Sequence, residues 1–151
     1  MRAEALAAIL LAACGVETYR QARPSAEVAI RFVADDVTRA GETLPRWGEG
    51  EPIAVGGADV VGAEHIEHVQ LYETGEGRRL IVLDLSEIGR TRLREATTER
   101  VGARLAIVVA GRVVATPTLR EPLTEGEAFV RVDPEHVEAI FAAMTEEPAA
   151  R

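Results

Sequence analysis

Three histidines, one cysteine and a glycine-rich segment are the residues from which this chain could build chemistry. His65 and His68 stand three apart in Ala58–Val69, a stretch whose spacing predicts a short helix carrying both rings on one face. Two imidazoles so placed can begin a zinc site, and a metal-dependent hydrolase would add a carboxylate and an open coordination position. His136 is far along the chain, Glu64 and Glu67 are merely adjacent, and no HExxH pattern is present. A solvated helical face is therefore the simpler expectation for His65 and His68. Gly56-Gly57-Ala58-Asp59-Val60-Val61-Gly62 precedes the same helix. It lacks the Lys-Ser/Thr of a phosphate loop and the spacing of a dinucleotide fingerprint, and Asp59 reads as a helix cap. Ser25 and Ser86 lack the glycines of a nucleophile elbow, and Ser86 reads as an N-cap. The acidic residues show no metal-loop spacing. The expectation is no catalytic set, no metal and no cofactor.

Cys14 is the candidate with a context. As the only cysteine it can enter neither an intramolecular disulfide nor a multi-cysteine metal site. It follows Arg2 and an apolar run from Ala5 to Ala13 that is shorter than the about 20 residues of a membrane span but suits a secretory signal. Leu11-Ala12-Ala13-Cys14 resembles the lipobox of bacterial lipoproteins, in which the signal is removed before the cysteine and its thiol accepts lipid. The resemblance implies a signal over residues 1–13, a lipid anchor at Cys14, and a tether over 14–26, where GVETYRQARPSA is polar and aperiodic. It places the protein in the cell envelope, on the periplasmic or extracellular side of a bacterial membrane. Without that anchor the chain reads as a cytosolic interaction domain.

Composition narrows the function classes further. With 151 residues, 47% hydrophobic and 28% charged, the chain suits one globular domain. A net charge of −8 argues against a nucleic-acid partner held by counterion release. All 17 basic residues are arginines, which points to coding bias more than to a binding surface. Aromatics are only 4%, so the core must be aliphatic, and no stacking site for bases or sugars is apparent.

The elements that must position these residues follow from periodicity. Glu27–Val33 alternates as a strand, and Ala34–Pro52 is a polar loop holding the only Trp, Trp47. Pro52–Val55 suits a short strand, and Gln70–Glu73 and Arg78–Leu85 suit a hairpin around Thr74-Gly75-Glu76-Gly77. Ser86 opens a helix in which Gly89, Leu93, Ala96 and Thr97 share a face, and Gly102 stops it. Arg104–Ala110 and Arg112–Thr116 form a second hairpin, continuous enough in apolar residues to be central. A loop from Pro117 to Gly126 leads to the strand Glu127–Val132. Asp133-Pro134 then starts a helix with Val137, Ile140, Phe141 and Met144 on its apolar face. The pattern predicts a two-layer α+β sandwich of a mainly antiparallel sheet with two to three helices, of the ferredoxin-like kind, over residues 27–145. Residues 146–151 read as a disordered tail.

The stretch from Gly102 to Gly126 (GARLAIVVAGRVVATPTLREPLTEG) carries a family resemblance. It resembles the head subdomain of the first periplasmic domain of the SecD/SecDF protein-export membrane proteins. That family has a hydrophobic strand, a tight glycine turn at the position of Gly111, a second strand ending at Pro117, and a loop closing at Gly126. Upstream, Leu85, Gly89, Leu93 and Thr97 fall on its helix pattern, and Ile53–Ala63 on the segment before it. Ala110 stands where the family usually has Asp, and Thr116 where it usually has Ala. Gly89, Gly102, Gly111, Pro117 and Gly126 thus act as a fold signature. The resemblance implies a non-enzymatic domain that holds a polypeptide at the outer membrane face, without the membrane carboxylates that proton-driven work requires. A sheet edge or the Pro117–Gly126 loop would take an extended segment, with Leu119, Pro122 and Leu123 facing the partner.

Overall fold

The computed structural model describes residues 16–34, 41–120 and 127–146. Cys14, Pro122, Leu123 and Gly126 lie outside the described residues. Strands β1 (Val16–Ala22), β6 (Ile66–Thr74), β7 (Arg79–Leu85) and β10 (Glu127–Val130) form one antiparallel sheet in the order β1-β6-β7-β10. Strands β5 (Val61–Gly62), β2 (Val28–Phe32), β8 (Leu105–Val109) and β9 (Arg112–Ala115) form a second, in the order β5-β2-β8-β9. A ribbon of β3 (Glu42–Leu44) and β4 (Ile53–Val55) completes the strands. Two helices, α1 (Glu87–Thr98) and α2 (Val137–Met144), pack against them. The fold is α+β and mainly antiparallel, as the periodicity indicates, but its strands divide between two four-stranded sheets.

One core joins both sheets and both helices. Val28, Ile30, Ile107 and Val109 from the second sheet meet Val69, Leu71, Ile81 and Leu83 from the first, with Leu93 of α1 and Ile140 and Met144 of α2. A separate cluster, including Leu44, Ile53 and Val55 of the ribbon with Ala106, Val108 and Val113, covers the other face of the second sheet. Strand β8 is therefore buried on both faces, which is why LAIVV is apolar throughout and does not alternate. Helix α1 starts at Ser86, whose hydroxyl accepts the Gly89 N–H at 3.1 Å. It also sits close against the 3-10 turn Ala63–His65, since a Cβ on Gly89 would lie 2.5 Å from the His65 carbonyl oxygen.

Four expectations are corrected. Ala58–Val69 is not a helix: it holds β5, the 3-10 turn and the start of β6. A β-bulge between Ile66 and His68 adds one residue to the strand, so the buried pair Ile66 and Val69 stands three apart and imitates helical spacing. The tether contains β1, which pairs with β6 from Val16↔Thr74 to Ala22↔Val69. Its polar sequence is that of an edge strand carrying Tyr19 and Gln21, whose side chains meet those of β6. Helix α2 begins after His136 and not at Pro134, because Asp133 closes a turn by accepting the Glu135 N–H on its side chain and the His136 N–H on its carbonyl. At the far end, Thr145 bridges Pro24 and the Glu146 N–H donates to the Arg23 carbonyl, so the expected tail is ordered through Glu146.

Candidate polypeptide-docking site

Leu119, expected to face a partner, is largely buried and lines an apolar groove from its floor. Only 4% exposed, it belongs to the main core, and its backbone N–H donates to the Ala103 carbonyl at 2.8 Å while its own carbonyl accepts from Gly102. The loop thus opens with a core anchor, and its apolar residue there serves packing.

Among the described residues of this region, the large apolar side chain left exposed is Phe129, on β10 and 55% exposed. Residues alternate along β10, so Val130 is buried and Ala128 packs on the core while Glu127 and Phe129 face outward. Strand β10 forms one edge of its sheet, paired with β7 from Glu127↔Asp84 to Val130↔Ile81. Among the described residues no backbone group pairs with its second edge. Strand β9, at the edge of the other sheet, is by contrast covered. The Val113 N–H donates to Pro45 and the Val113 carbonyl accepts from Trp47, both at 2.9 Å, so residues 45–47 form a strap. Beside the open edge runs a groove of about 300 Å³ whose walls include Leu105, Ile107, Pro117, Ala128 and Phe129. A second hollow of about 380 Å³ shares Pro117 and Phe129 and ends at Arg131. Phe129 and Pro117 therefore divide two hollows next to strand backbone that no described residue pairs. That arrangement supplies hydrogen-bonding groups for an extended chain and apolar sites for alternate side chains.

The outer face of the same sheet carries a polar ladder. Tyr19 and Tyr72 stack with centroids 5.1 Å apart, so the structure does contain an aromatic pair that the low aromatic content hid. The Gln70 amide donates to Tyr19 Oη at 3.1 Å and to Gln21 Oε1 at 3.0 Å, and Tyr72 donates to Gln70 Oε1 at 3.0 Å. Burial pushes the Tyr72 phenol up to about 12, with Tyr19, Glu127 and Asp84 adding to the rise. On the second sheet, Arg31 donates to Glu42 and to Asp59, the latter at 2.7 Å, and both carboxylates raise its pKa, Glu42 more. Asp59 is accordingly a strand-to-loop clasp and caps no helix.

The histidines do not converge. His65 lies in the 3-10 turn, where its carbonyl accepts the Ser86 N–H. His68 lies on β6 with Nδ1 3.5 Å from Asp84. His136 precedes α2 and faces Gly48. The shared helical face expected of His65 and His68 does not exist. In the sequence Phe129 carries no distinguishing signal, being a lone aromatic in an alternating strand. Only the position of β10 at an edge gives it meaning.

Comparison with known proteins agrees with this fold. The family described as SecDF, P1 head subdomain, matches residues 37–144. The protein translocase subunit SecD of Treponema pallidum is 33% identical over 66 residues, which cover 44% of this chain and 11% of that protein. The protein translocase subunit SecDF of Thermus thermophilus is 37% identical over 54 residues, covering 36% of this chain and 7% of that protein. The chain thus spans only a small part of the length of these relatives. A solved structure of a membrane component SecDF that enhances protein export superposes on 80% of this chain and 61% of its own, with TM-score 0.59 and 20% identity. SecDF in a super-membrane-facing form superposes on 80% of this chain and 18% of its own, with TM-score 0.61 and 22% identity. At these identities the likeness to the solved structures is one of fold. No helix among the described residues is long and apolar enough to cross a membrane. Since the match takes in well over half of the residues, this chain belongs to the SecDF P1 head subdomain family.

Proposed function

We propose that this chain is an exported lipoprotein whose head domain binds an extended polypeptide in a step linked to protein export, without chemistry on it. The observation that carries the reading is the open β10 edge beside Phe129 and its apolar groove, in a domain of a protein-export family. Hydrogen bonds to β10 would give sequence-tolerant affinity, and the groove would favour apolar side chains at alternate positions. Such tolerance suits a domain that meets many different unfolded chains. The lipobox-like Leu11–Cys14 supports an anchor at Cys14 on the outer side of a bacterial membrane. Because β1 begins at Val16, that lipid would hold the first sheet within two residues of the bilayer, with no long leash. A hydrolase built on His65 and His68 gains no support from their separate placements.

Fluorescence anisotropy with a labelled, unstructured peptide of alternating apolar residues tests the binding. Burying the exposed part of a phenylalanine is worth roughly 1–1.4 kcal/mol, so Phe129→Ala should weaken binding about 5–10-fold. Equal affinity for wild type and Phe129→Ala would remove the β10 site. Mass spectrometry of the mature N-terminus tests the anchor: diacylated or triacylated Cys14 is expected, and an intact Met1 with a free thiol contradicts it.

A further inference from the structure

Outside the docking edge, the outer face of the first sheet gathers Glu67, His68 and Asp84, with one donor atom from each lying within 4.8 Å of the others. We propose that these three residues bind one divalent cation of the zinc class. In a regular strand Glu67 and His68 would point to opposite faces, but the bulge between Ile66 and His68 brings both to Asp84. His68 Nδ1 stands 3.5 Å from Asp84 Oδ2. Two ligands of a tetrahedral ion with bonds of about 2.0–2.1 Å are about 3.3 Å apart, so this pair is already near coordinating separation. Asp84 is held on both sides, by His68 of β6 and Glu127 of β10, and His68 is held by Asp84, while Glu67 is the extra residue of the bulge beside them.

Charge makes the same point. Some carboxylates are neutralised by arginines: Arg31 takes Glu42 and Asp59, and Arg79 takes Glu73 and Glu138. Around the cluster, Asp84 has only His68 as an ion-pair partner among the described residues, and Glu67 has none. Glu127 is opposite Asp84 in register and on the same face, which places a further carboxylate at the rim. A cation would offset this repulsion. One imidazole nitrogen with carboxylate oxygens favours zinc over magnesium or calcium, which prefer all-oxygen shells.

Isothermal titration of the purified protein with zinc chloride tests the site, with magnesium chloride as a control. The expected result is one zinc per chain, weakened at least tenfold by His68→Gln and by Glu67→Gln, and unchanged by His136→Gln. The last variant covers the second cluster of potential ligands, Asp133, Glu135 and His136. Zinc should also shift the ring NMR signals of His68 in the wild-type protein while leaving those of His65 and His136 in place, a readout independent of any variant's folding. Absence of saturable zinc binding would overturn the proposal. So would affinity indifferent to His68→Gln, or a zinc response confined to His136. Peptide binding at β10 is measured separately, so either idea can fail without the other.

Discussion

Ala110 offers a quantitative test of the central hairpin. The turn between β8 and β9 has two residues, Ala110 at φ 51° and Gly111 at φ 77°, so both central positions are left-handed, as in a type I′ turn. For an L-residue that conformation costs roughly 1–2 kcal/mol, and glycine escapes it. The SecD/SecDF resemblance places an Asp at this position, a residue that tolerates the left-handed region better than Ala. Ala110 is exposed and its side chain is not in the core, so substitution there should act on the backbone alone. Its N–H donates to the Glu27 carbonyl at 3.1 Å, a bond that any non-proline residue keeps. Ala110→Gly should recover the strain, less about 0.4–1 kcal/mol for the freer unfolded chain, leaving a net stabilisation of about 0.5–1 kcal/mol. Ala110→Asn should stabilise by a similar or smaller amount. Gly111→Ala should destabilise by roughly 1–2 kcal/mol, because it puts a second Cβ in the left-handed region. Urea unfolding followed by circular dichroism reads these changes, with melting shifts of about 2–6 °C as a second measure. A loss of stability in both Ala110 variants, or no effect of Gly111→Ala, would refute the strained-turn reasoning.

Two further outcomes follow from packing and ionisation. Gly89→Ala would set a Cβ 2.5 Å from the His65 carbonyl oxygen, so α1 must move off the 3-10 turn, with an expected destabilisation of about 1–3 kcal/mol in the same urea experiment. In the folded Tyr19→Phe variant, which keeps the burial that is the largest cause of the rise, Tyr72 should still form its phenolate above the ordinary value of 10.0, read by phenolate absorbance. Because the folded pKa lies above the ordinary value of 10.0, the fold holds the phenol's proton longer than the unfolded chain does. The resulting contribution is present below pH 10 and fades as pH rises toward 12; ordinary titration of Tyr72 near 10 would contradict its burial.

How much was legible in the sequence depended on whether a segment's pattern was set by the core or by its neighbours. LAIVV announced itself because β8 is buried on both faces, and the apolar face of α2 did so by its spacing. Ile66–Val69 misled because a bulge changes strand periodicity from two to three, and a bulge leaves no mark in a single sequence. The strand β1 misled for a different reason. Its order comes from pairing with β6 and from the Tyr19–Tyr72 stack, both made with residues some fifty positions away. Leu119 and Phe129 differ for the same cause: the apolar residue in the loop packs inward, and the one in the strand faces out. Neither follows from residue type.

The central claim is that the free edge of β10 accepts an extended polypeptide. Hydrogen exchange of the intact protein, with and without a saturating reduced and unfolded polypeptide, tests it most directly. The expected result is slowed exchange within Glu127–Val130, at the N–H groups on the edge that no described residue pairs, and little change in β8, which lies between β2 and β9. Binding that leaves exchange at Glu127–Val130 unaltered, or protection that appears only elsewhere, would contradict it.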